Sequence, residues 1–355
     1  MSIQSTITGT GSCIPSVIKK NSDFLDSTFL NDDGTSFSSD NPLIIEKFKE
    51  ITGIEERRYA ADDLVASDLA FEASLKAIED SGIDKNTLDY IIVAHNFGDV
   101  SKGSIQGDTL PSLASKVKNK LGIINVNCVA YDLLFGCPGW VQGVIQAEAF
   151  IKAGLAKKVL VVGTETLSRV IDDYDRDSMI YADGAGACVI ESKSNSEKSG
   201  ILSQGAQTFT EEETNYLFYG ESYHQDRDNT AYIKMYGRKI YEFALNNVPN
   251  AMKDALDKSG VSIDQVKKIF LHQANEKMDE AIVKRFFRLY KKQVPKGVMP
   301  MCIHKLGNSS VATVPTLLDL VLKGEMENQK VEKGDVIILA SVGAGMNINA
   351  VVYRY

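Results

Sequence analysis

Residues Ala73–His95 read ASLKAIEDSGIDKNTLDYIIVAH, and residues Ala251–Gln273 read AMKDALDKSGVSIDQVKKIFLHQ. Aligned without a gap, both stretches show the pattern of an amphipathic helix, a Ser-Gly stop, a short turn and an apolar strand. In this alignment Ser81-Gly82 falls on Ser259-Gly260. A pattern that occurs twice at corresponding places indicates a chain built from two similar units.

Two further pairs of segments extend the duplication. Residues 156–163 (AKKVLVVG) and 333–340 (KGDVIILA) both read as buried strands rich in Val and Ile. Cys137 follows a Phe-Gly pair and Asn308 follows a Leu-Gly pair, and each precedes a helix-like stretch. A single match of this kind arises by chance in any α/β protein, but three in the same order favour a true duplication.

The duplication predicts the fold class and the domain organisation. Strands that alternate with helices indicate an α/β protein with mixed or parallel sheets covered by helices. We expect two halves, residues 1–195 and 196–355, related by a pseudo-twofold axis. The polar stretch Ser192–Gly200 is the expected seam between them.

Composition excludes several classes of protein. The net charge of −8 disfavours a nucleic-acid binder, which would be basic. No apolar run reaches the roughly 18 residues of a membrane span, and the first residues do not resemble a signal peptide. The cysteines contain no CxxC pair, which argues against a zinc site or a disulfide framework and favours a reducing, cytoplasmic location. They are Cys13, Cys128, Cys137, Cys188 and Cys302.

Cys137 is the first candidate for a chemical role. It lies between a strand-like stretch, Val126–Leu133, and a helix-like one, Val141–Ala153, in the sequence Phe-Gly-Cys-Pro-Gly-Trp. The positive end of a helix dipole favours a thiolate, and the flanking glycines let a substrate approach the backbone. An inert core cysteine is the alternative, and the local sequence leaves both interpretations open.

The second half supplies the other candidates. His272 follows an apolar run at the predicted carboxyl end of a strand, where α/β proteins place their sites. Its ring would donate a hydrogen bond or move a proton there, with a core histidine as the alternative. Asn308 reads alone as part of an ordinary turn, but its repeat equivalence to Cys137 points to the same site. The turn Gly343–Met346 would offer backbone N–H groups to an oxyanion.

These motifs resemble the thiolase-like condensing enzymes, and most of all the β-ketoacyl-acyl-carrier-protein synthase III family. The resemblance runs nearly from end to end of the chain. It implies a homodimer with a thiolase-like fold, in which duplicated βαβαβ halves form a layered helix–sheet sandwich. The segments that carry it are Gly9–Ser12, Thr52–Arg58, the segment around Cys137, Gly163–Glu165, Asp183–Ala187, His272–Asn275, Gly307–Ser310 and Gly343–Met346.

The resemblance also implies a role for each candidate. Cys137 would carry the acyl group, while His272 and Asn308 would hydrogen-bond the carbonyl of the second thioester as its enolate forms. The N–H groups of Cys137 and Ala344 would form the oxyanion hole. Neutral His and Asn suit an enolate better than a carboxylate, which would repel the developing charge. No cofactor or metal is expected, because the substrates are coenzyme A or acyl-carrier-protein thioesters.

Five further residues are expected, by the same resemblance, to bind substrate or carrier protein. Arg169 matches a residue beside the adenine of coenzyme A. The tryptophan that usually completes this clamp is missing, which predicts weak coenzyme A binding or a carrier-bound primer. Leu110 matches a residue that closes the partner subunit's acyl pocket. Lys277, Lys284 and Arg285 match residues that dock the acidic acyl carrier protein.

Several functions remain open at this point. The main hypothesis is an acyltransferase of fatty acid biosynthesis that joins an acyl group on Cys137 to a malonyl- or β-ketoacyl-carrier-protein thioester by Claisen condensation. A specialised polyketide-type ketosynthase, which condenses two β-ketoacyl thioesters to a cyclohexanedione and then a dialkylresorcinol, is the alternative within the class. The ketone- and pyrone-making members of the family use a partner-chain Glu near the segment that matches Leu110. No Glu occurs between Ile105 and Asn119, which counts against a glutamate-dependent enzyme but not against the resorcinol branch. A catalytically silent partner subunit and a Cys-His hydrolase are the alternatives outside the class.

Overall fold

The computed structural model describes residues 2–195, 199–224 and 230–355. Its strands are β1 (Ser2–Cys13), β2 (Val17–Lys20), β3 (Glu56–Tyr59), β4 (Tyr90–Ala94), β5 (Val129–Leu133), β6 (Lys158–Thr166), β7 (Asp183–Asn195), β8 (Gly200–Thr208), β9 (Leu217–Glu221), β10 (Ala231–Met235), β11 (Val266–Leu271), β12 (Val336–Gly343) and β13 (Asn347–Arg354). Its α-helices are α1 (Asn41–Thr52), α2 (Ala66–Ser81), α3 (Leu113–Lys120), α4 (Gly139–Lys152), α5 (Gly237–Ser259), α6 (Glu276–Leu289), α7 (Ile303–Leu306) and α8 (Thr313–Leu322).

The duplicated stretch forms the same structure twice. Helix α2 ends at Ser81 and helix α5 at Ser259, and each is followed by a glycine in the left-handed conformation. Gly82 has φ of 69° and Gly260 has φ of 71°, a conformation that glycine adopts without the steric cost of a Cβ. After a 3₁₀ turn, the chain enters β4 in the first copy and β11 in the second. The helix–glycine–strand prediction is confirmed in both copies.

The two main sheets have the same topology. The first has the order β1-β7-β6-β4-β5 and the second has the order β8-β13-β12-β11. In both, the first two neighbouring pairs are antiparallel and the third is parallel. In the first sheet β1 pairs with β7, and β7 pairs with β6. In the second sheet β8 pairs with β13, and β13 pairs with β12. The first sheet carries β5 as one additional parallel strand.

Helices and sheets alternate in layers. Helices α2 and α3 cover the outer face of the first sheet, and α5 and α6 cover the outer face of the second. Helices α4 and α8 lie between the sheets, where Trp140 and Val144 of α4 share one apolar core with Leu317 and Leu318 of α8. This arrangement is the predicted α/β fold with two related sheets and a helical layer between them.

The predicted seam is only partly described. Along the chain, the last strand of the first sheet ends at Asn195 and the first strand of the second sheet begins at Gly200. The boundary at residue 196 and the centre of the stretch Ser192–Gly200 lie outside the described residues. Within the described ranges, no helix is both long and apolar enough to cross a membrane.

Candidate active site

Cys137, His272 and Asn308 line one cavity of about 250 Å³. Cys137 lies in the loop between β5 and α4, and His272 directly follows β11. Both loops leave the carboxyl ends of parallel strands, one in each sheet, and both contribute to the wall of the cavity. Three residues that are far apart in the sequence are thus brought to a single site.

Asn308 is held by the first half of the chain. Its backbone N–H donates to the carbonyl of Ile180 at 3.0 Å, and its carbonyl accepts the N–H of Ala182 at 2.8 Å. Within its own turn, the side-chain Oδ1 accepts the N–H of Ser310 at 2.8 Å. Because the carboxamide oxygen is occupied in this way, the NH₂ group is the end that can donate to a ligand in the cavity.

His272 is buried and neutral. Burial lowers its pKa from 6.5 to about 4, so the ring carries no charge near pH 7. Nδ1 lies 2.7 Å from the hydroxyl oxygen of Thr313, which is also 3.0 Å from the carbonyl oxygen of Ser310. The single hydroxyl proton of Thr313 therefore determines whether Nε2 of His272 meets a substrate as an acceptor or as a donor.

Two backbone N–H groups face the sulfur of Cys137. They belong to Cys137 itself and to Ala344, and both lower the pKa of the thiol. The approach of the two loops requires glycines: a Cβ on Gly343 would lie 2.5 Å from the nitrogen of Cys137, and one on Gly136 would lie 2.7 Å from the oxygen of Ala344. The geometry supports the proposed oxyanion hole, in which each donor is typically worth about 3–4 kcal/mol of transition-state stabilisation.

The expected effect of the helix dipole on Cys137 is outweighed by burial. Burial raises the pKa of the thiol to about 11, and the hydroxyl of Ser310 and the two backbone N–H groups offset only part of that rise. Helix α4 begins two residues beyond Cys137, at Gly139, and α8 begins only at Thr313, after a 3₁₀ turn that follows Asn308. Cys137 and Asn308 each precede a helix at corresponding places in the two halves, but neither lies directly at a helix N-terminus.

Apolar side chains form most of the remaining cavity wall. The antiparallel strands β9 and β10 contribute to the cavity wall, and the backbone N–H of Ile233 donates to the carbonyl of Val170 at 3.0 Å. Lys234 anchors β10 through Asp172, at 2.7 Å, and Asp175, at 3.1 Å. The apolar residues that line the wall include Leu167, Leu217, Ile233, Met235, Ile240 and Met278. Such a wall fits a hydrocarbon chain.

The expected binding residues are placed outside the cavity wall. Arg169 is 6% exposed and donates to the carbonyls of Ala60, at 3.3 Å, and Ala61, at 2.9 Å, so its guanidinium is turned into the protein. Leu110 is 88% exposed. Lys277 and Lys284 lie exposed on α6, as does Arg285. Arg285 also donates to the carbonyl of Leu245 on α5, which ties part of its guanidinium back to the protein.

Three polar residues near the sulfur were not predicted to belong to the site. The hydroxyl of Ser310 lies 3.2 Å from Sγ of Cys137, and Asn96 bridges Ser310 to the buried carboxyl of Glu165. Glu165 ends the motif Gly-Thr-Glu on a predicted buried strand. An acidic residue at a buried position was the feature of the sequence that could have indicated a functional role. Within the described ranges, no group of His, Cys, Asp or Glu side chains is arranged to hold a metal ion.

Comparisons with known proteins agree with the fold and with the predicted family. The family model described as 3-oxoacyl-[acyl-carrier-protein] synthase III matches residues 131–208, and the model of its C-terminal part matches residues 256–355. A β-ketoacyl-[acyl-carrier-protein] synthase III from Vibrio vulnificus is 33% identical over 99% of both chains.

Solved structures give the same result. The structure of a β-ketoacyl-[acyl-carrier-protein] synthase III from Thermus thermophilus has a TM-score of 0.81 at 30% identity, and the match covers 99% of both chains. A priming β-ketosynthase from the R1128 polyketide pathway has a TM-score of 0.79 at 25% identity, over 99% of this chain and 96% of that one. The thiolase-like fold and the expected class of acyltransferase are therefore confirmed, and the chain belongs to the β-ketoacyl-acyl-carrier-protein synthase III family of condensing enzymes.

Proposed function

We propose that this chain extends an acyl group by decarboxylative Claisen condensation with a malonyl thioester on an acyl carrier protein, and that Cys137, His272 and Asn308 are its catalytic residues. The single observation that carries the proposal is the convergence of these side chains on one apolar cavity. A thiol, a neutral imidazole and a carboxamide are the groups that acyl loading and enolate formation require.

Two half-reactions use the site in turn. In the first, Cys137 attacks an acyl thioester, the N–H groups of Cys137 and Ala344 bind the carbonyl oxygen, and the departing thiolate takes up the thiol proton. In the second, the malonyl thioester loses carbon dioxide, and the enolate is stabilised by hydrogen bonds from Asn308 and from the His272 tautomer that carries its proton on Nε2 and accepts the Thr313 hydroxyl proton at Nδ1. The enolate carbon attacks the acyl-Cys137 carbonyl, a carbon–carbon bond forms, and the Cys137 thiolate leaves and takes up a proton from water.

The surface charge supports a carrier-protein substrate. Lys277 and Lys284 are exposed on α6, in a protein of net charge −8. Ala274 and Met278, which lie on either side of Lys277 in the sequence, both line the cavity. An acidic carrier protein drawn to this helix would deliver its thioester next to the site. Arg285 would contribute charge to the same surface. Arg169, which donates to the carbonyls of Ala60 and Ala61, is proposed to hold that loop beside the adenine of a coenzyme A donor.

A homodimer is proposed on the basis of the β5 edge. Strand β5 is the last strand of its sheet, so one side of its backbone is unpaired among the described residues. Val129 in β5 is 48% exposed, and Val126 and Leu134, just outside it, are 87% and 65% exposed. An exposed apolar edge strand favours pairing with a second copy. Leu110, also exposed, would then reach the partner's cavity.

Val126→Asp is expected to weaken the dimer by at least about 100-fold in its dissociation constant. The side chain is almost fully exposed in one subunit, so the substitution costs little there. In a dimer it would bring two carboxylates close to each other in an apolar interface. Sedimentation equilibrium measures the effect. The matched control is Ile51→Asp, at an exposed apolar position on α1; equal dissociation of both variants, or a monomeric unsubstituted protein, would contradict the proposal.

The remaining expectations are consistent with this function. All five cysteines are free thiols, which is typical of a reducing compartment, and we propose a cytoplasmic location. We propose that the reaction needs no bound cofactor, because the thioesters themselves supply the activated carbonyl and the leaving carboxylate.

Product analysis tests the proposed function. Acetyl- and octanoyl-coenzyme A are offered in parallel with the corresponding acyl carrier proteins, together with malonyl- or β-ketoacyl-carrier protein. We expect a β-ketoacyl-carrier protein two carbons longer than the primer and one carbon dioxide per product. Free fatty acid would indicate a hydrolase, a cyclohexanedione from two β-ketoacyl units would indicate the specialised ketosynthase, and absence of loading would indicate a silent subunit.

A further inference from the structure

A chain of hydrogen bonds leads from a buried carboxyl group to the sulfur of Cys137. The side-chain N–H₂ of Asn96 donates to Oε1 of Glu165 at 2.5 Å and to Oγ of Ser310 at 3.2 Å. The hydroxyl of Ser310 donates to Sγ of Cys137 at 3.2 Å. These residues come from four segments that are distant in the sequence, so the chain of contacts is a product of the fold.

The direction of each hydrogen bond follows from the chemistry of the groups. An amide NH₂ only donates, so a Ser310 oxygen that accepts from Asn96 directs its single proton elsewhere. The sulfur of Cys137 lies within reach and receives it. A hydroxyl that donates to the sulfur stabilises the thiolate relative to the thiol.

The backbone around Ser310 is arranged to bring this hydroxyl to the sulfur. Ser310 has φ of 52°, in the left-handed region that non-glycine residues enter at a cost of about 1–2 kcal/mol. The turn that contains it packs closely on strand β6, because a Cβ on Gly163 would lie 2.4 Å from the carbonyl oxygen of Val311. Strain held at a reactive group indicates a functional constraint.

We propose that Asn96 and Glu165 are positioning residues for the nucleophile: Glu165 orients the Asn96 carboxamide, whose second N–H orients the Ser310 hydroxyl so that it donates to the Cys137 sulfur. The inference rests on the proposed function only in that Cys137 is the nucleophile. Asn96, in the loop after β4, and Glu165, near the end of β6, thereby take part in activating the thiol.

The ionisation of Glu165 adds a dependence on pH. Burial raises its pKa from 4.5 to about 8, so the group is mainly protonated at pH 7 and becomes a carboxylate above pH 8. The negative charge then opposes the Cys137 thiolate. The hydroxyl of Ser310 and the charge of Glu165 therefore act on the thiol in opposite directions. The other titratable groups that face this pair are Asp183, Tyr219, Tyr181 and His272.

The rate of Cys137 alkylation by iodoacetamide, measured between pH 6 and 10.5 with peptide mapping, tests this inference. Ser310→Ala is expected to slow alkylation roughly tenfold at pH 8 through a higher thiol pKa. Ser310→Gly, which removes the backbone strain together with the hydroxyl, should slow it equally. Glu165→Gln should leave the rate at pH 7 nearly unchanged and raise it several-fold above pH 8.

A double substitution tests the positioning role of Asn96. Asn96→Leu should slow alkylation in the unsubstituted protein but should add nothing in the Ser310→Ala background, because the two act through one hydroxyl. Asp319→Asn, at a buried carboxyl that accepts from Thr10 and Ser12 away from the cavity, and Ser74→Ala are the matched controls and should not alter the profile.

Two results would overturn the inference. One is equal slowing by Asn96→Leu in both backgrounds; the other is a pH profile of Glu165→Gln that follows the unsubstituted protein above pH 8. Because alkylation requires no substrate, either result leaves the condensation assay intact and is distinguishable from failure of the proposed function. If Cys137 is not alkylated at any pH, the inference about its activation fails, while the product assay still decides the proposed function.

Discussion

Replacing Cys137 with alanine is expected to abolish acyl loading and to reduce product formation by a factor on the order of 10⁶, the scale measured when a nucleophile is removed from a hydrolytic triad. The thiol is the nucleophilic atom at the oxyanion hole, and no second thiol lines the described cavity. Intact-protein mass spectrometry after incubation with an acyl thioester measures the loading, and a coupled assay measures the product.

Cys13→Ala is the matched control for this substitution. Burial raises the pKa of the Cys13 thiol to about 11, as it does for Cys137, but Cys13 lies outside the cavity wall. Its replacement should leave both loading and product formation unchanged. Retention of loading by Cys137→Ala, with the same acyl mass bound, would show that another residue is the nucleophile.

Asn308→Asp is expected to preserve acyl loading while it lowers condensation by about 10³-fold or more. The aspartate keeps an oxygen for the N–H of Ser310, so the turn is retained, but it replaces the NH₂ donor with a negative oxygen. Loss of one such donor costs roughly 10²–10³-fold, and repulsion of the enolate adds to this loss. Rapid-quench measurement of thiol release reports loading, and carbon dioxide release reports the second half-reaction.

His272→Ala should show the same division between half-reactions. The ring is neutral above about pH 4, so it forms no ion pair with the Cys137 thiolate. Loading therefore does not depend on such a pair. We expect loading to remain within a few-fold and decarboxylation to fall by about 10²–10³-fold. A parallel fall of both half-reactions in His272→Ala and Asn308→Asp would contradict the assignment of these residues to the enolate.

The fold was predictable because the duplication can be recognised from local sequence patterns. Amphipathic helix, glycine and apolar strand recur in the same order, and each pattern depends on near neighbours in the sequence. Helix α4 was predicted over Val141–Ala153 and spans Gly139–Lys152. Strand β5 was predicted from Val126 but begins at Val129, because Asn125 closes a turn by accepting the N–H groups of Asn127 and Cys128.

The environment of the thiol was not predictable from local sequence. The motif around Cys137 indicated a helix dipole, whose effect is local, but burial by residues from both halves raises the thiol pKa instead. The contacts of Ser310, Asn96 and Glu165 likewise join distant segments through tertiary packing. A single sequence shows which residues are polar, but not which of them meet.

Mapping the acyl group on the protein shows whether Cys137 is the nucleophile. The unsubstituted protein is incubated with octanoyl-coenzyme A or with octanoyl-carrier protein, quenched in acid and digested, and the modified peptide is sequenced by tandem mass spectrometry. We expect one octanoyl thioester, on Cys137, which disappears when malonyl-carrier protein is added and the elongated product forms. Acylation of a different residue, or elongation without any acyl-enzyme at Cys137, would contradict this expectation.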